Sequence, residues 1–550
     1  MSGRRKSRKS SRLGKRKASS EPLRFLQPSY VFLNANVVTM DPGQPSAQAV
    51  AIHRDQIAAV GNNAEISKLA GPETSVTNLK KATVLPGFID CHVHLIDYGF
   101  AVSGLSLDLH GVRSIEEMKK RVSEKSMMAP SRVEGHGWDQ EIFVERRYPS
   151  RADLDEVAPE KPVILRRVCG HICVANSIAL KLAGIDRNTP DPAGGSIDRD
   201  SNGEPTGILR ETAVNLVEEG ITRPGVGQPE GPEEYEKATT AACEKAVEAG
   251  LTGVHCVLSS ERELRALLKL KAEGRLPIRF YLLLPVHLQS TASQLGLRTG
   301  FGDDWIRIGG VKIFTDGSLG ARTAALEAPY SDDPLNRGIP TYTQEQLDGM
   351  VAEAHRSDLQ LAIHAIGDRA IRMALEAVKK ARDWMVKKEL RHRIEHASVL
   401  TAELIQEMKD LGVIASVQPH FVASDTWVER RLGTARARST YPFQNLLREG
   451  VTVVAGSDCP VDPIAPLTGI AAAVDRAEQA LSIEDALALY TRSAAYASFD
   501  ESRRGTISPG KLADLVVLKE DPRKAAPSEI PNIQVLLTMV GGRVVYRSGS

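Results

Sequence analysis

FIDCHVH, residues 88–94, is the stretch on which the fold turns. It reads as a buried strand ending in His92 and His94, and the alternation of side chains along a strand points both imidazoles the same way. Seven more apolar runs follow: TGVHCV (252–257), IRFYLLLPV (278–286), IRIGGVKIF (306–314), LQLAIHA (359–365), RHRIEHA (391–397), GVIASVQ (412–418) and VTVVAGSD (451–458). Patterned helices such as QEQLDGMVAEAHRS and AIRMALEAVKKARDWMVKK lie between most of them. Eight strands alternating with helices predict an α/β fold, a (β/α)8 TIM barrel rather than an open sheet. About 150 residues separate the first strand from the second, far beyond an ordinary crossover. Residues 100–245 are therefore expected to form an inserted subdomain after the first barrel strand.

Outside this region the pattern changes. YVFLNANVVTM and SAQAVAIHRDQIAAVG before it, and GTISPGKLADLVVLKEDP and IQVLLTMVGGRVVY after it, read as antiparallel strands. They predict a β-sandwich built from both chain ends, residues 28–85 with 503–550, flanking a barrel domain at 86–502. The chain has 550 residues, 42% hydrophobic and 25% charged, which excludes a disordered chain and a disulfide-stapled mini-protein. No uninterrupted apolar run approaches a membrane span. The net charge of +1 hides an uneven distribution. Residues 1–24 hold ten basic residues against the single acid Glu21, so residues 1–27 read as a basic, disordered tail with too few apolar groups to fold. No apolar segment follows the arginines, so no secretion signal is expected. The six cysteines form no ligand or disulfide framework, and reduced thiols in the cytoplasm are expected.

The polar residues of the eight runs fall at one end. His92 and His94 close the first, Lys312 lies near the end of the fourth, and His364, His396 and Asp458 close the fifth, sixth and eighth. In a (β/α)8 barrel these C-terminal ends form one rim, where active sites are built. Histidines with one carboxylate suit a divalent cation such as zinc, one ion or two. Lys312 facing such ions is pushed towards the neutral amine, which can add carbon dioxide to become an N-carboxylated ligand. That carbamate could bridge two metals about 3.5–4 Å apart. The alternative is an unmodified Lys312 bound to an acid such as Asp316, with one metal only.

VLPGFIDCHVHL, GGVKIFTDGSLGARTA, LAIHAIGDRA, RIEHA and GSDCPVDPIAPL resemble the amidohydrolase superfamily, and within it amidohydrolase family 3, the N-substituted formamide deformylase-like branch. The resemblance covers about residues 30–548. It implies a distorted barrel with a β-sandwich beside it. It also implies a metal-dependent hydrolase in which His92, His94 and Asp458 hold the more buried metal. His364 and His396 would hold the second, with Lys312 bridging. Asp458 would act as general base and acid as a metal-activated hydroxide attacks an amide-like C–N bond of N-formyl or N-acyl amine type. His171, in RRVCGHICVANS, is implied to stabilise the oxyanion or contact substrate. Trp138, Glu211 and His420 are expected to line the pocket, and Arg322, after the turn GSLGA, to clamp an anionic substrate group. His255 and His287 follow the second and third strands, where rim contact and core packing read alike. The expected partners are a small-molecule substrate and further copies of the chain in a homo-oligomer, with no membrane. Other readings stay open: a catalytically inactive binding protein on this fold, a hydrolase of another bond such as an ester, and nucleic-acid contact through the basic tail.

Overall fold

The computed structural model describes residues 27–129, 131–222, 231–385 and 389–549. Apart from Gln27, the expected basic tail lies outside the described residues. The apolar runs become eight parallel strands, each within a few residues of its expected place. They are β1 (Phe88–Val93), β2 (Leu251–Val257), β3 (Arg279–Pro285), β4 (Ile306–Phe314), β5 (Gln360–Ala365), β6 (Arg393–His396), β7 (Ile414–Val417) and β8 (Val453–Ala455). They hydrogen-bond side by side in chain order, β1 to β8. Nearly every residue of these strands is buried, as both-face burial under helices requires. The helix Asp368–Trp384 shows how the outer layer is specified: Ala370, Ile371, Ala374, Leu375, Val378 and Ala381 recur at helical spacing and are among the residues it buries.

The cylinder closes differently between β8 and β1. No ladder joins them among the described residues. Beyond β8, the Asp458 N–H donates to His92 O (2.7 Å) and the His94 N–H donates to Cys459 O (2.8 Å). The buried Asp90 carboxylate accepts from the Ser457 and His92 N–H groups, each at 3.0 Å. Gly456 makes this approach possible, because a Cβ there would lie 2.4 Å from the His92 nitrogen.

Two further layers flank the barrel. Strands Tyr30–Leu33, Ala49–His53, Gln56–Gly61 and Ser75–Asn78 form one sheet. A second sheet joins the chain ends, because Leu515–Leu518 pairs antiparallel with Thr83–Pro86. Between β1 and β2 the insertion builds its own six-stranded sheet from Leu107–Asp108, Val133–Trp138, Val163–Arg167, Ile172–Ala175, Gly195–Arg199 and Pro205–Glu211. All six cysteines are free. No helix of the described residues is long and apolar enough to cross a membrane.

Below β5 and β6 lies a buried histidine pair whose protons the surroundings assign. The Leu361 N–H donates to His392 Nδ1 (3.0 Å), so His392 carries its proton on Nε2 and donates it to His355 Nδ1 (3.1 Å). His355 Nε2 then donates to Met385 O (3.0 Å). Both rings are neutral in this relay, and burial, followed by the neighbouring His355, pushes His392 down to about 3. A folded-state value below the unfolded one means that the unfolded chain binds the extra proton between them. Stability is therefore full above about pH 6.5 and falls towards pH 3, by up to about 1.4 kcal/mol per pH unit. His392→Gln is expected to flatten the fall of the unfolding midpoint between about pH 6 and 4; equal slopes in variant and parent would refute this assignment.

Candidate metal centre

The site grows from the inward face of β1. His92 is fully buried, and its Nδ1 is ion-paired with Glu395 on β6. Glu395 is in turn held by Arg393, two residues earlier on the same inward face, with Nη2 2.9 Å from Oε2. Burial works to raise the Glu395 carboxyl, but Arg393 and then His92 hold it well below the usual range. An ionised Glu395 accepts the Nδ1 proton of His92 and leaves the Nε2 lone pair facing the barrel mouth, the arrangement that orients a metal-binding histidine.

Around that lone pair the strand ends converge. His92 Nε2 lies 3.3 Å and His94 Nε2 3.5 Å from Asp458 Oδ1. Donor atoms of His92, His94 and Asp458 all fall within 4.8 Å of one another, the only such group among the described residues. Burial pushes His94 down to about 3, so its imidazole is neutral. Burial would raise Asp458, yet the imidazoles around it, His92 first, hold it below the carboxylate range. A neutral imidazole and an ionised carboxylate are the protonation states a divalent cation requires, and the set fits one. Asp458 has φ +57°, a strained turn that aims its carboxylate back over the mouth.

The remaining predicted ligands lie alongside. Lys312 Nζ is 3.1 Å from His92 Nε2, and burial lowers it to about 8. Asp316 is not its partner: that carboxylate accepts the N–H groups of Ala325 (2.9 Å), Ile366 (3.1 Å) and Gly367 (2.9 Å). His364 and His396 pack edge-on with ring centroids 4.5 Å apart, and the His396 ring is 5.1 Å from that of His92. Strand alternation alone would turn His396 away from the mouth, since Glu395 points inward. A left-handed backbone at His396 (φ +74°) swings it back, and its Nδ1 is fixed by Gln418 Oε1 at 2.7 Å.

The insertion supplies a second wall. His171 Nδ1 is 2.8 Å from Glu211 Oε2, and the His171 ring lies 5.0 Å from that of His364. Although burial opposes it, the Glu211 carboxylate raises His171 to about 9, which makes it a cationic donor towards the mouth. Gly317 lets the pair in, because a Cβ there would lie 2.0 Å from Glu211 Oε1. Two expectations are corrected. Trp138 does not line the pocket: it is fully buried in the insertion's own core, with Nε1 donating to Leu165 O (2.7 Å). Arg322 is not free to clamp an anion, because its Nε and Nη2 bind Asp332 at 3.2 and 2.8 Å. His420 pairs with Asp462 at 3.0 Å and stays partly exposed, beside Phe421, whose ring stacks on His396. His255 lies inside the barrel against Arg393, not on the rim. The residues missed from sequence are Arg393, Glu395 and Gln418. The signal for the first two was the alternating R-x-E of β6, which places both charges on the inward face.

An eight-stranded parallel barrel with imidazoles and a carboxylate gathered at its C-terminal mouth is the architecture of a metal-dependent hydrolase. The chain belongs to the amidohydrolase family, whose family model matches residues 75–546. It is 35% identical to YtcJ of Bacillus subtilis over 532 residues, covering 93% of this chain and 98% of that one. It is 29% identical to the N-substituted formamide deformylase of Arthrobacter pascens over 546 residues, 94% of this chain and 99% of that one. Among solved structures, an uncharacterized metal-dependent hydrolase from Pyrococcus horikoshii superposes with a TM-score of 0.75 at 31% identity, over 91% of this chain and 99% of that one.

Proposed function

We propose that this protein hydrolyses an amide-like C–N bond of the N-formyl or N-acyl amine type, at a centre in which His92, His94 and Asp458 hold a divalent cation. The carrying observation is the convergence of those three side chains within 4.8 Å. Zinc suits so histidine-rich a set. When bound, such a cation supplies a Lewis acid that polarises a carbonyl and acidifies water. Asp458, ionised and beside both imidazoles, takes the proton of the attacking water and passes it to the leaving nitrogen. His171, its Nδ1 engaged by Glu211, has Nε2–H left to donate to the developing oxyanion. Lys312, as a neutral amine, adds carbon dioxide to give a carbamate and one released proton; His364 and His396 then complete a second position. The 29% identity to a formamide deformylase supports the bond type. The six free thiols fit a reducing, cytoplasmic compartment.

The test is elemental analysis of the purified protein combined with a screen of N-formyl and N-acyl amines and amino acids for amine release. One to two equivalents of metal are expected, with activity lost on chelation and restored by zinc. Turnover by metal-free protein would overturn the proposal. Deleting residues 1–24 is expected to leave hydrolysis intact while abolishing any retention on nucleic acid.

A further inference from the structure

Phe314, the last residue of β4, stands among ionisable side chains at the barrel mouth, yet it is apolar and 38% exposed. It follows Lys312 by two residues and so shares the inward face of the strand. The pairing of β4 with β5 sets it directly beside His364, whose ring is 5.3 Å from its own. Lys312 Nζ lies 4.5 Å from the Phe314 ring centroid, and Lys312 is only 1% exposed, so the ring roofs the lysine. From the insertion, the His171 ring meets Phe314 edge to face at 6.3 Å. Three neighbours thus fix the ring, and its open surface borders the mouth. Small-molecule sites are built in this way, from apolar walls around a few placed polar groups.

Which part of a substrate meets that surface follows from the proposed hydrolysis of an N-acyl amine, on which the inference rests. Three groups leave the carbonyl carbon: the oxygen, the nitrogen and the acyl substituent. The oxygen, where negative charge develops, belongs beside the Nε2–H of His171. The nitrogen receives its proton from Asp458 and belongs beside that carboxylate. Asp458 follows β8, and the strands pair in order from β1 to β8, so β4 stands four strands away, across the mouth. The acyl substituent leaves the carbonyl carbon away from the nitrogen. It therefore points from the Asp458 side towards β4, and meets Phe314 there.

We infer that Phe314 sets the size of the acyl group: its ring fills the space a longer chain would need, so formyl-sized groups enter and longer alkanoyl groups are excluded. The ring cannot turn aside freely, because doing so uncovers Lys312, whose amine lies beneath it and beside His92. Each methylene that a fixed apolar wall accepts or rejects is worth about 10–200-fold in kcat/KM. The amine substituent lies on the Asp458 side and is not limited by this ring.

The test compares the formyl, acetyl and butyryl derivatives of one amine, the best released in the screen above, with the full-length, metal-loaded protein. In the parent, kcat/KM for formyl is expected to exceed that for butyryl by about a hundredfold or more. In Phe314→Ala, which removes the ring and makes room for the chain, that ratio should fall by about tenfold or more. Both substrates meet the same centre, so any loss of metal in the variant cancels in the ratio. If Phe314→Ala does not accumulate folded, Phe314→Leu keeps an apolar cover on Lys312 and should lower the ratio by a smaller factor. A ratio unchanged in the variant overturns the role of Phe314 while leaving the reaction intact. A ratio that rises, with butyryl turnover lost more than formyl, makes the ring a binding platform and overturns it equally. Release from none of the N-acyl amines refutes the reaction itself, and this inference with it.

Discussion

Asp458→Asn is expected to lower kcat/KM by about a hundredfold to ten-thousandfold, the range carried by a positioned general acid–base group. Asparagine keeps the shape of the side chain and one carbonyl oxygen near the Nε2 atoms of His92 and His94, which now stand 3.3 and 3.5 Å from Asp458 Oδ1. It cannot take up a proton at that position. The geometric role and the proton-carrying role therefore separate: metal content, measured by elemental analysis, should fall far less than turnover. A variant that retains near-parental kcat at full metal loading would remove Asp458 from the proton path. Proportional loss of metal and activity would instead make it a ligand alone.

Glu395→Gln is expected to act on both stability and metal affinity. Its carboxylate is the shared partner of Arg393 and His92, all three fully buried. The amide leaves Arg393 without its counter-charge, and removing one partner of a buried ion pair costs about 3–5 kcal/mol. His92 loses the acceptor that fixes its tautomer, a change that typically costs about 10–100-fold in metal affinity. Denaturant titration with metal and chelator reads both. Arg393→Met combined with Glu395→Gln should recover part of the stability but none of the affinity, because the double variant removes the stranded charge without restoring the acceptor. Unchanged metal affinity in Glu395→Gln would refute the orienting role.

Much of this architecture was legible because barrel strands buried on both faces read as short apolar runs. The rim could be read from the polar residues that end those runs. Other features depend on contacts between distant segments. Arg322 looked available because Asp332, its partner, lies in the same long loop after β4, which periodicity does not describe. Trp138 ends a strand of the insertion, and only the insertion's own packing reveals that its indole belongs to a core. Glu395 was not singled out, although it precedes His396 in RIEHA. The period of two, applied strictly, places it inside with Arg393 and leaves His396 to be turned back by its own backbone.

The gap in the ladder between β8 and β1 has a consequence for how the protein breathes. His92 and His94 stand on one lip of that gap and Asp458 on the other, and across it the described residues offer only a few main-chain bonds and the Asp90 carboxylate. An ion gripped from both lips acts as a rivet, so its occupancy and the integrity of the cylinder are thermodynamically linked. Amide exchange along Val453–Ala455 and Phe88–Val93 should slow on loading with zinc more than exchange along β3 and β4, on the far side of the wall.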